Sequence, residues 1–198
     1  MMLHSKNLTV HNLMELAKHP PRVHGNGFIQ LDLEWPYRLN FWGPDIPRQE
    51  TPTPIHNHVF DFYSRLLKGQ MFNVRYDLQP GKDYHLYKPV PRHGEDTELR
   101  LMGGYSTSVK QTSIDQLSLQ GEPSTVTGYF MKRGDFHETE PLGNAVTLIG
   151  ILPQNSIVSS ELYPMVLVKA HELPDNTFDR HGFSENYLWD LIHTIITD

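Results

Sequence analysis

The chain has 198 residues, a formal net charge of −6, 38% hydrophobic residues, 20% charged residues and no cysteine. This composition is typical of a soluble protein with a buried core, and it predicts no broad nucleic-acid-binding surface. The absence of cysteine excludes disulfides, thiolate metal ligands and a cysteine nucleophile. No run of about 18 apolar residues predicts a membrane span, and the first residues lack a secretory signal pattern. We therefore expect a cytoplasmic protein that has no nucleic-acid or membrane partner.

In chain order, the first predicted element is a short helix over about residues 9–18, in "LTVHNLMELAKHPPR". Thr9 can cap this helix, apolar residues follow at helical spacing, and two prolines end it. From about residue 28 to 170, short runs such as "FIQLDLEW", "VFDFYSRLL" and "AVTLIGILP" are separated by turn residues, which indicates many short strands. The last stretch, "SENYLWDLIHTIITD", predicts a second helix over about 184–197, capped by Ser184, with its apolar face on the outside of the strands. We expect residues 1–198 to form a single all-β domain, an antiparallel sandwich or barrel with short helices at both ends.

Two histidines one residue apart, His56 and His58, lie in "TPIHNHVFDFYSRLLKG" before a predicted strand. Residues i and i+2 of a strand point to the same face, so both imidazoles can approach one ion, with Phe60 and Phe62 below them. Neutral imidazole is a good ligand for Fe, Zn, Cu or Ni. The alternative interpretation is a polar pair at the end of a strand.

A third histidine, His137, follows a glycine turn in "YFMKRGDFHETEPLGNAVTLIGI" and precedes an apolar run. An H-x-H, a glycine turn and a distant G-x-x-H before an apolar strand resemble the two-part signature of the cupin superfamily. Within that superfamily the chain looks most like the cysteine dioxygenase-type thiol dioxygenases, in "PIHNHVFDFYSRLLKG", "GDFHETEPLGNAVTL" and "LNFWGP", over about residues 28–155. The resemblance implies a cupin (jelly-roll) barrel and assigns His56, His58 and His137 as metal ligands. The usual cupin glutamate is missing, so a three-histidine site is expected.

Other residues that these dioxygenases use are replaced in this chain. The arginine that holds the substrate carboxylate aligns with Gln30, and the His and Tyr that follow the third ligand align with Ile149 and Ile151. The cysteine that some of them crosslink to tyrosine is also absent. The chain is therefore not expected to oxidise free cysteine, although its metal centre could act on another substrate.

Three further residues are candidate catalytic groups. Arg75 could replace the missing carboxylate clamp, and Tyr129 could line the pocket and give a hydroxyl to bound oxygen. Glu138, beside the third histidine, could act as a general base or orient a ligand imidazole. The simpler alternatives are a surface arginine, a core tyrosine and a solvated loop acid.

Three functions remain open at the level of the sequence. The first is a mononuclear non-haem Fe(II) dioxygenase, an oxidoreductase that acts on a small organic molecule. The second is a non-redox isomerase or hydrolase that uses Zn, Ni or Mn as a Lewis acid. The third is a non-enzymatic cupin that binds a small ligand. A homodimer is a further expectation, by analogy with other cupins.

Overall fold

The computed structural model describes residues 8–48, 54–91, 97–120, 124–153, 164–174, 179 and 182–198. The elements in these residues are α1 (Val10–Leu16), β1 (Arg22–His24), β2 (Phe28–Asp32), β3 (Tyr37–Trp42), β4 (Phe62–Lys68), β5 (Gln70–Pro91), β6 (Thr97–Ser118), β7 (Gly128–Met131), β8 (Phe136–Pro141), β9 (Ala145–Ile151), β10 (Val166–Lys169) and α2 (Glu185–Thr197).

The strands form two antiparallel sheets. The larger sheet has the order β1-β2-β3-β9-β4-β7. In the smaller sheet, β5 pairs with β6 along one edge, and its other edge pairs with β8 over residues 71–76 and with β10 over residues 84–87. From β7 to β10 successive strands alternate between the two sheets, as in a jelly roll. The all-β fold with short terminal helices, which the sequence predicted, is therefore confirmed.

Both helices pack on the outer face of the larger sheet. Thr9 and Ser184 cap them, because each side chain accepts a hydrogen bond from a backbone N–H three residues later. The apolar residues that the helices bury against this sheet are Leu13, Leu188, Trp189, Ile192 and Ile195. No helix in the described ranges is long and apolar enough to cross a membrane.

Successive side chains of β3 point to opposite faces of the larger sheet. Leu39 and Phe41 belong to the apolar cluster that includes the helices. Arg38, Asn40 and Trp42 line a cavity on the opposite face, between the two sheets. Because successive strand residues point to opposite faces, the polar residues of β3 are directed into the interior.

The segment that carries His56 and His58 differs from the sequence prediction. The regular strand β4 begins only at Phe62, and His56 precedes it in an isolated bridge. Within β4 the predicted alternation is present, since Phe62 and Ser64 are buried and Tyr63 is exposed. The two histidines are therefore positioned by tertiary contacts of an irregular segment, and not by a continuous strand.

Candidate metal centre

Backbone pairing places His56 directly opposite His137. The N–H of each residue donates to the carbonyl of the other, at 2.9 Å in both directions. Directly opposed residues of an antiparallel pair have their side chains on the same face. Their imidazole rings are therefore neighbours, with centroids 4.7 Å apart.

A glycine turn holds His58 beside this pair. The N–H of Gly134 donates to the carbonyl of His58 at 2.8 Å. Gly134 has a φ of 86°, in the left-handed region that favours glycine, so the turn before β8 needs this residue. The carboxylate of Asp61 also binds this turn, since its Oδ1 accepts from the Arg133 N–H at 2.7 Å. These contacts join the first histidine motif to the second.

The three histidines form one compact cluster. One ring nitrogen of each of His56, His58 and His137 lies within 4.8 Å of the others, and Nε2 of His58 is 3.0 Å from Nε2 of His137. In the described ranges this group includes no carboxylate, which agrees with the predicted absence of a cupin glutamate. The structure thus brings together the three histidines that the sequence assigned as metal ligands.

Hydrogen bonds at Nδ1 determine the tautomers of two of these histidines. Nδ1 of His137 is 2.8 Å from Oδ1 of Asn73, whose Nδ2 donates to Asp115 at 3.2 Å. Nδ1 of His56 is 2.7 Å from the carbonyl of Pro54 and 3.2 Å from Nδ2 of Asn26, and the shorter contact, to an oxygen that can only accept, places a proton on this Nδ1. Amide oxygens only accept, so both Nδ1 atoms carry the proton and both Nε2 atoms have a free lone pair. That is the form in which imidazole binds a metal.

The environment keeps the imidazoles neutral. Burial lowers the pKa of His56 from its ordinary value of 6.5. Burial also lowers the pKa values of His58 and His137 well below 6.5, and the charge of the neighbouring His56 adds to the effect. At neutral pH all three rings are therefore neutral, and each has one ring nitrogen with a free lone pair.

These residues fit a divalent transition metal. Three neutral imidazoles suit Fe, Zn, Cu and Ni, whereas Mg, Ca and Mn prefer oxygen ligands. Manganese, which the sequence analysis included, fits this donor set less well than the others. An all-imidazole set also leaves the full charge of the ion uncompensated by the protein.

The cluster forms one wall of a cavity of about 150 Å³ between the sheets. Much of the lining is aromatic and consists of Phe28, Trp42, Phe60, Phe62 and Tyr129. The polar lining residues outside the cluster are His24, Arg38, Asn40, Thr139 and Thr147. The site is therefore a small chamber in which an aromatic wall faces several polar groups, a combination that is common in ligand sites.

Of the three predicted catalytic residues, Tyr129 is the one placed in the cavity lining. Its ring centroid is 6.4 Å from that of His137, and the residue is buried. Burial raises the pKa of Tyr129, so its hydroxyl keeps its proton at neutral pH. Its catalytic role stays a prediction.

Arg75 is not placed as the carboxylate clamp that the sequence suggested. Its guanidinium donates to the carbonyl of Phe130 at 2.7 Å and pairs with Asp115 at 3.2 Å. The contact with Phe130 on β7 connects the two sheets, whereas Asp115 lies on β6 beside Arg75, and Arg75 is not part of the cavity lining. It lies opposite His137 in the pairing of β5 with β8, and its positive charge helps to lower the pKa of His137.

Glu138 is also separated from the cluster. It follows His137 in β8, so its side chain points to the opposite face of the sheet. There its carboxylate accepts a hydrogen bond from the hydroxyl of Tyr76. The predicted role as a base or as a support for an imidazole therefore has no geometric basis at the cluster.

Arg38 is a cavity residue that the sequence analysis did not identify. Burial lowers its pKa to about 10, and Asp32 offsets part of this effect. It lies near Gln30, the position aligned with the arginine of the resembling family, since Nη1 of Arg38 is 3.5 Å from Oε1 of Gln30. The alternation in "YRLNFW" was a usable signal, because Leu39 and Phe41 mark one face and Arg38 belongs to the other.

His24, on β1, is a second cavity residue that the sequence analysis did not identify. Its ring stacks on Phe28 with centroids 4.4 Å apart. Its Nδ1 accepts the N–H of Asn26 at 3.2 Å, so a neutral His24 carries its proton on Nε2. The sequence around it offers no motif that distinguishes it from the other histidines.

No protein-family model and no curated protein matches this chain. One solved structure that is similar to it is a hydroquinone 1,2-dioxygenase in complex with Cd²⁺ and 4-hydroxybenzonitrile. The two chains are 14% identical, the match covers 78% of this chain and 82% of the other, and the TM-score is 0.35. A likeness of this degree carries no argument about function, which therefore depends on the geometry of the site.

Proposed function

We propose that this protein binds a divalent transition metal through His56, His58 and His137, and that with Fe(II) it is a dioxygenase of a small organic molecule. One observation supports the proposal above all. Three neutral imidazoles converge within 4.8 Å at the wall of a cavity that is also lined by aromatic side chains. A solvated surface group of histidines would have neither lowered pKa values nor a chamber beside it.

When bound, Fe(II) would supply coordination positions for O₂ and an organic substrate next to the three imidazoles. The chain's own residues have separate parts in this function. Asn73 holds the proton on Nδ1 of His137 and so keeps Nε2 available. The aromatic lining would contact the apolar part of a bound substrate and reduce the water beside it. The hydroxyl of Tyr129 holds a proton beside the cavity.

The composition of the lining favours an oxygenase over a metal hydrolase that uses a carboxylate base. The described residues that line the cavity include no Asp or Glu. Glu138, the acid nearest in sequence to the third ligand, binds Tyr76 instead. The non-enzymatic alternative predicts metal and ligand binding without turnover, so an activity assay distinguishes it from the two enzymatic functions.

The test is metal content and oxygen uptake of the wild-type protein and of His137→Ala. We expect about one equivalent of iron in protein purified without oxygen, and O₂ consumption with at least one member of a screen of small organic molecules. His137→Ala should lose both. His11→Ala is the matched control, because His11 is exposed on α1, and it should retain both.

The result that would contradict the site is a full equivalent of iron in His137→Ala. Substrate turnover that continues without oxygen would support the Lewis-acid alternative. Bound metal with no turnover under either condition would support a binding protein.

A further inference from the structure

We infer that the ligand of this cavity is a small organic anion whose negative group binds Arg38 and whose second polar group binds Asn40. The inference rests on the proposed function, because it names the class of substrate for the same site. It follows from the charge, the hydrogen-bonding groups and the size of the cavity.

The charge of the lining is positive. Arg38 contributes a guanidinium, and the described lining residues include no carboxylate. Asp32, whose charge acts on Arg38, also pairs with Arg22 at 2.7 Å and accepts from Gln30 at 2.7 Å, so its charge is shared. A divalent ion on three neutral imidazoles would add further positive charge. A negatively charged ligand is the partner that compensates both.

Two buried polar atoms of the cavity lining have no hydrogen-bond partner within the described part of the chain. They are Nε of Arg38 and Oδ1 of Asn40. Asn40 is 4% exposed, so solvent does not replace the missing partner. Buried polar groups are nearly always satisfied, which makes two unpaired groups in one chamber an indication of a ligand. One of them donates and the other accepts, so the ligand needs an anionic acceptor and a separate donor such as a hydroxyl.

The cavity sets the size of the ligand. Its volume of about 150 Å³ is that of a chamber that accommodates a benzene ring, and is well below the roughly 300–1,000 Å³ of drug-sized sites. The guanidinium carbon of Arg38 is 6.0 Å from the ring centroid of Phe60, so the anion site adjoins an aromatic wall. A short organic acid or a single-ring acid fits, whereas a nucleotide or peptide does not.

The position of the anion site differs from the one that the sequence alignment indicated. Gln30 aligns with the carboxylate-binding arginine of the resembling family, and its amide is engaged with Asp32. Arg75, the replacement suggested from sequence, is bound to Asp115 and to the carbonyl of Phe130. Arg38, on the neighbouring strand β3, is the guanidinium that remains beside the cavity.

The test measures the affinities of matched acids and amides by ligand-observed NMR, in metal-free protein and in protein loaded with redox-inert Zn²⁺. The probes are benzoate against benzamide. Wild-type protein should bind benzoate at least about tenfold more tightly than benzamide, since charge-assisted bonds are the strong ones. Arg38→Met should weaken benzoate binding about 10- to 100-fold and leave benzamide unchanged, and Arg38→Lys should lie between.

Arg65→Met is the matched control, because Arg65 is exposed on the outer face of β4, and it should behave as wild type. Glycolate against acetate tests the second contact. Glycolate, which has the extra hydroxyl, should bind more tightly, and Asn40→Leu should remove that preference. If Arg38→Met fails to melt cooperatively, Arg38→Gln and Arg38→Lys decide the result.

Equal affinities for benzoate and benzamide in wild-type protein would overturn the inference, and so would an unchanged benzoate affinity in Arg38→Met. A failure of this inference can be distinguished from a failure of the metal proposal. Arg38-dependent benzoate binding in a protein that takes up no metal would support the anion site and contradict the proposed function. Normal metal uptake together with a benzoate affinity that does not depend on Arg38 would support the proposed function and contradict the anion site.

Discussion

Nδ1 of His137 lies 2.8 Å from Oδ1 of Asn73, and both side chains are buried. The other end of the Asn73 amide donates to Asp115 at 3.2 Å. Because a carboxylate can only accept, this contact orients the amide with its oxygen toward His137. Asp115 and Asn73 together therefore keep the proton of His137 on Nδ1 and its lone pair on Nε2.

Replacing Asn73 should weaken metal binding without removing a ligand. We expect Asn73→Leu to lower the metal affinity by about 10- to 100-fold, the usual effect of losing a group that orients a metal-bound histidine. Competition with a chromophoric chelator measures this change. Asn144→Ala is the control, because its amide binds Asp198 at the end of the chain. Wild-type affinity in Asn73→Leu would mean that the tautomer is determined in another way.

Metal should stabilise the fold. A metal at 100 times its dissociation constant adds about 2.7 kcal/mol. For a chain of this size each kcal/mol corresponds to roughly 2–4 °C, so thermal unfolding should shift upward by about 5–11 °C. Differential scanning calorimetry with and without Zn²⁺ or Fe²⁺ tests this expectation. His58→Ala should show no such shift, and a similar shift in that variant would argue against the three-histidine site.

The metal-free protein should lose stability as the pH falls below about 6.5. The folded state lowers the pKa of His58 and of His137 well below their ordinary value of 6.5. Between pH 6.5 and these lowered values the unfolded chain therefore binds protons that the folded chain does not, so acid favours unfolding. A single such histidine contributes about 1.4 kcal/mol per pH unit in that range.

Urea unfolding at several pH values, with a chelator present, measures this dependence. Above pH 6.5 His58 and His137 should contribute no pH dependence to the free energy of unfolding. Below pH 6.5 the slope of that free energy against pH should be smaller in His137→Asn than in the wild type. A slope that is unchanged in this variant would assign the acid sensitivity to other groups.

Tyr129 and Glu138 should respond differently to conservative replacement. Under the proposed function, Tyr129→Phe should lower substrate-dependent oxygen uptake by roughly 10- to 100-fold and leave metal content unchanged, since it removes a proton donor beside the cavity. Glu138→Gln should change uptake by less than about twofold, because its side chain is on the other face of β8. A larger loss of oxygen uptake in Glu138→Gln than in Tyr129→Phe would support the role of Glu138 as a base that the sequence suggested.

The C-terminal helix should contribute to stability and not to the site. Ile192 is fully buried in the cluster between α2 and the larger sheet. We expect Ile192→Ala to reduce the free energy of unfolding by about 2–5 kcal/mol, the usual cost of such a cavity. Tyr187→Ala, at an exposed position of the same helix, should cost much less. Metal affinity should be unchanged in both, and its loss in Ile192→Ala alone would connect the helix to the site.

The sequence predicted the elements of the fold well because their signals are local. Thr9 and Ser184 are caps recognisable from residue type, and both cap helices in the structure. Short alternating runs between turn residues identified the strands. The prediction that the histidines lie on a continuous strand was wrong. His56 is held by isolated bridges to His137 and Val166, which are far away in the chain, so no local pattern indicates this arrangement.

The identity of the three clustered histidines was determined by the sequence itself, through two motifs that lie about eighty residues apart. The roles of the charged residues were not. Three charged residues lie on strands, namely Arg38, Arg75 and Glu138. Their residue types do not indicate which face of each sheet lines the cavity. That choice depends on the packing of α1 and α2 on the outer face, which turns Arg38 inward, and on the contacts with Asp115 and Tyr76 that engage the other two side chains. Long-range packing decides where a side chain points, so it was visible only in the tertiary structure.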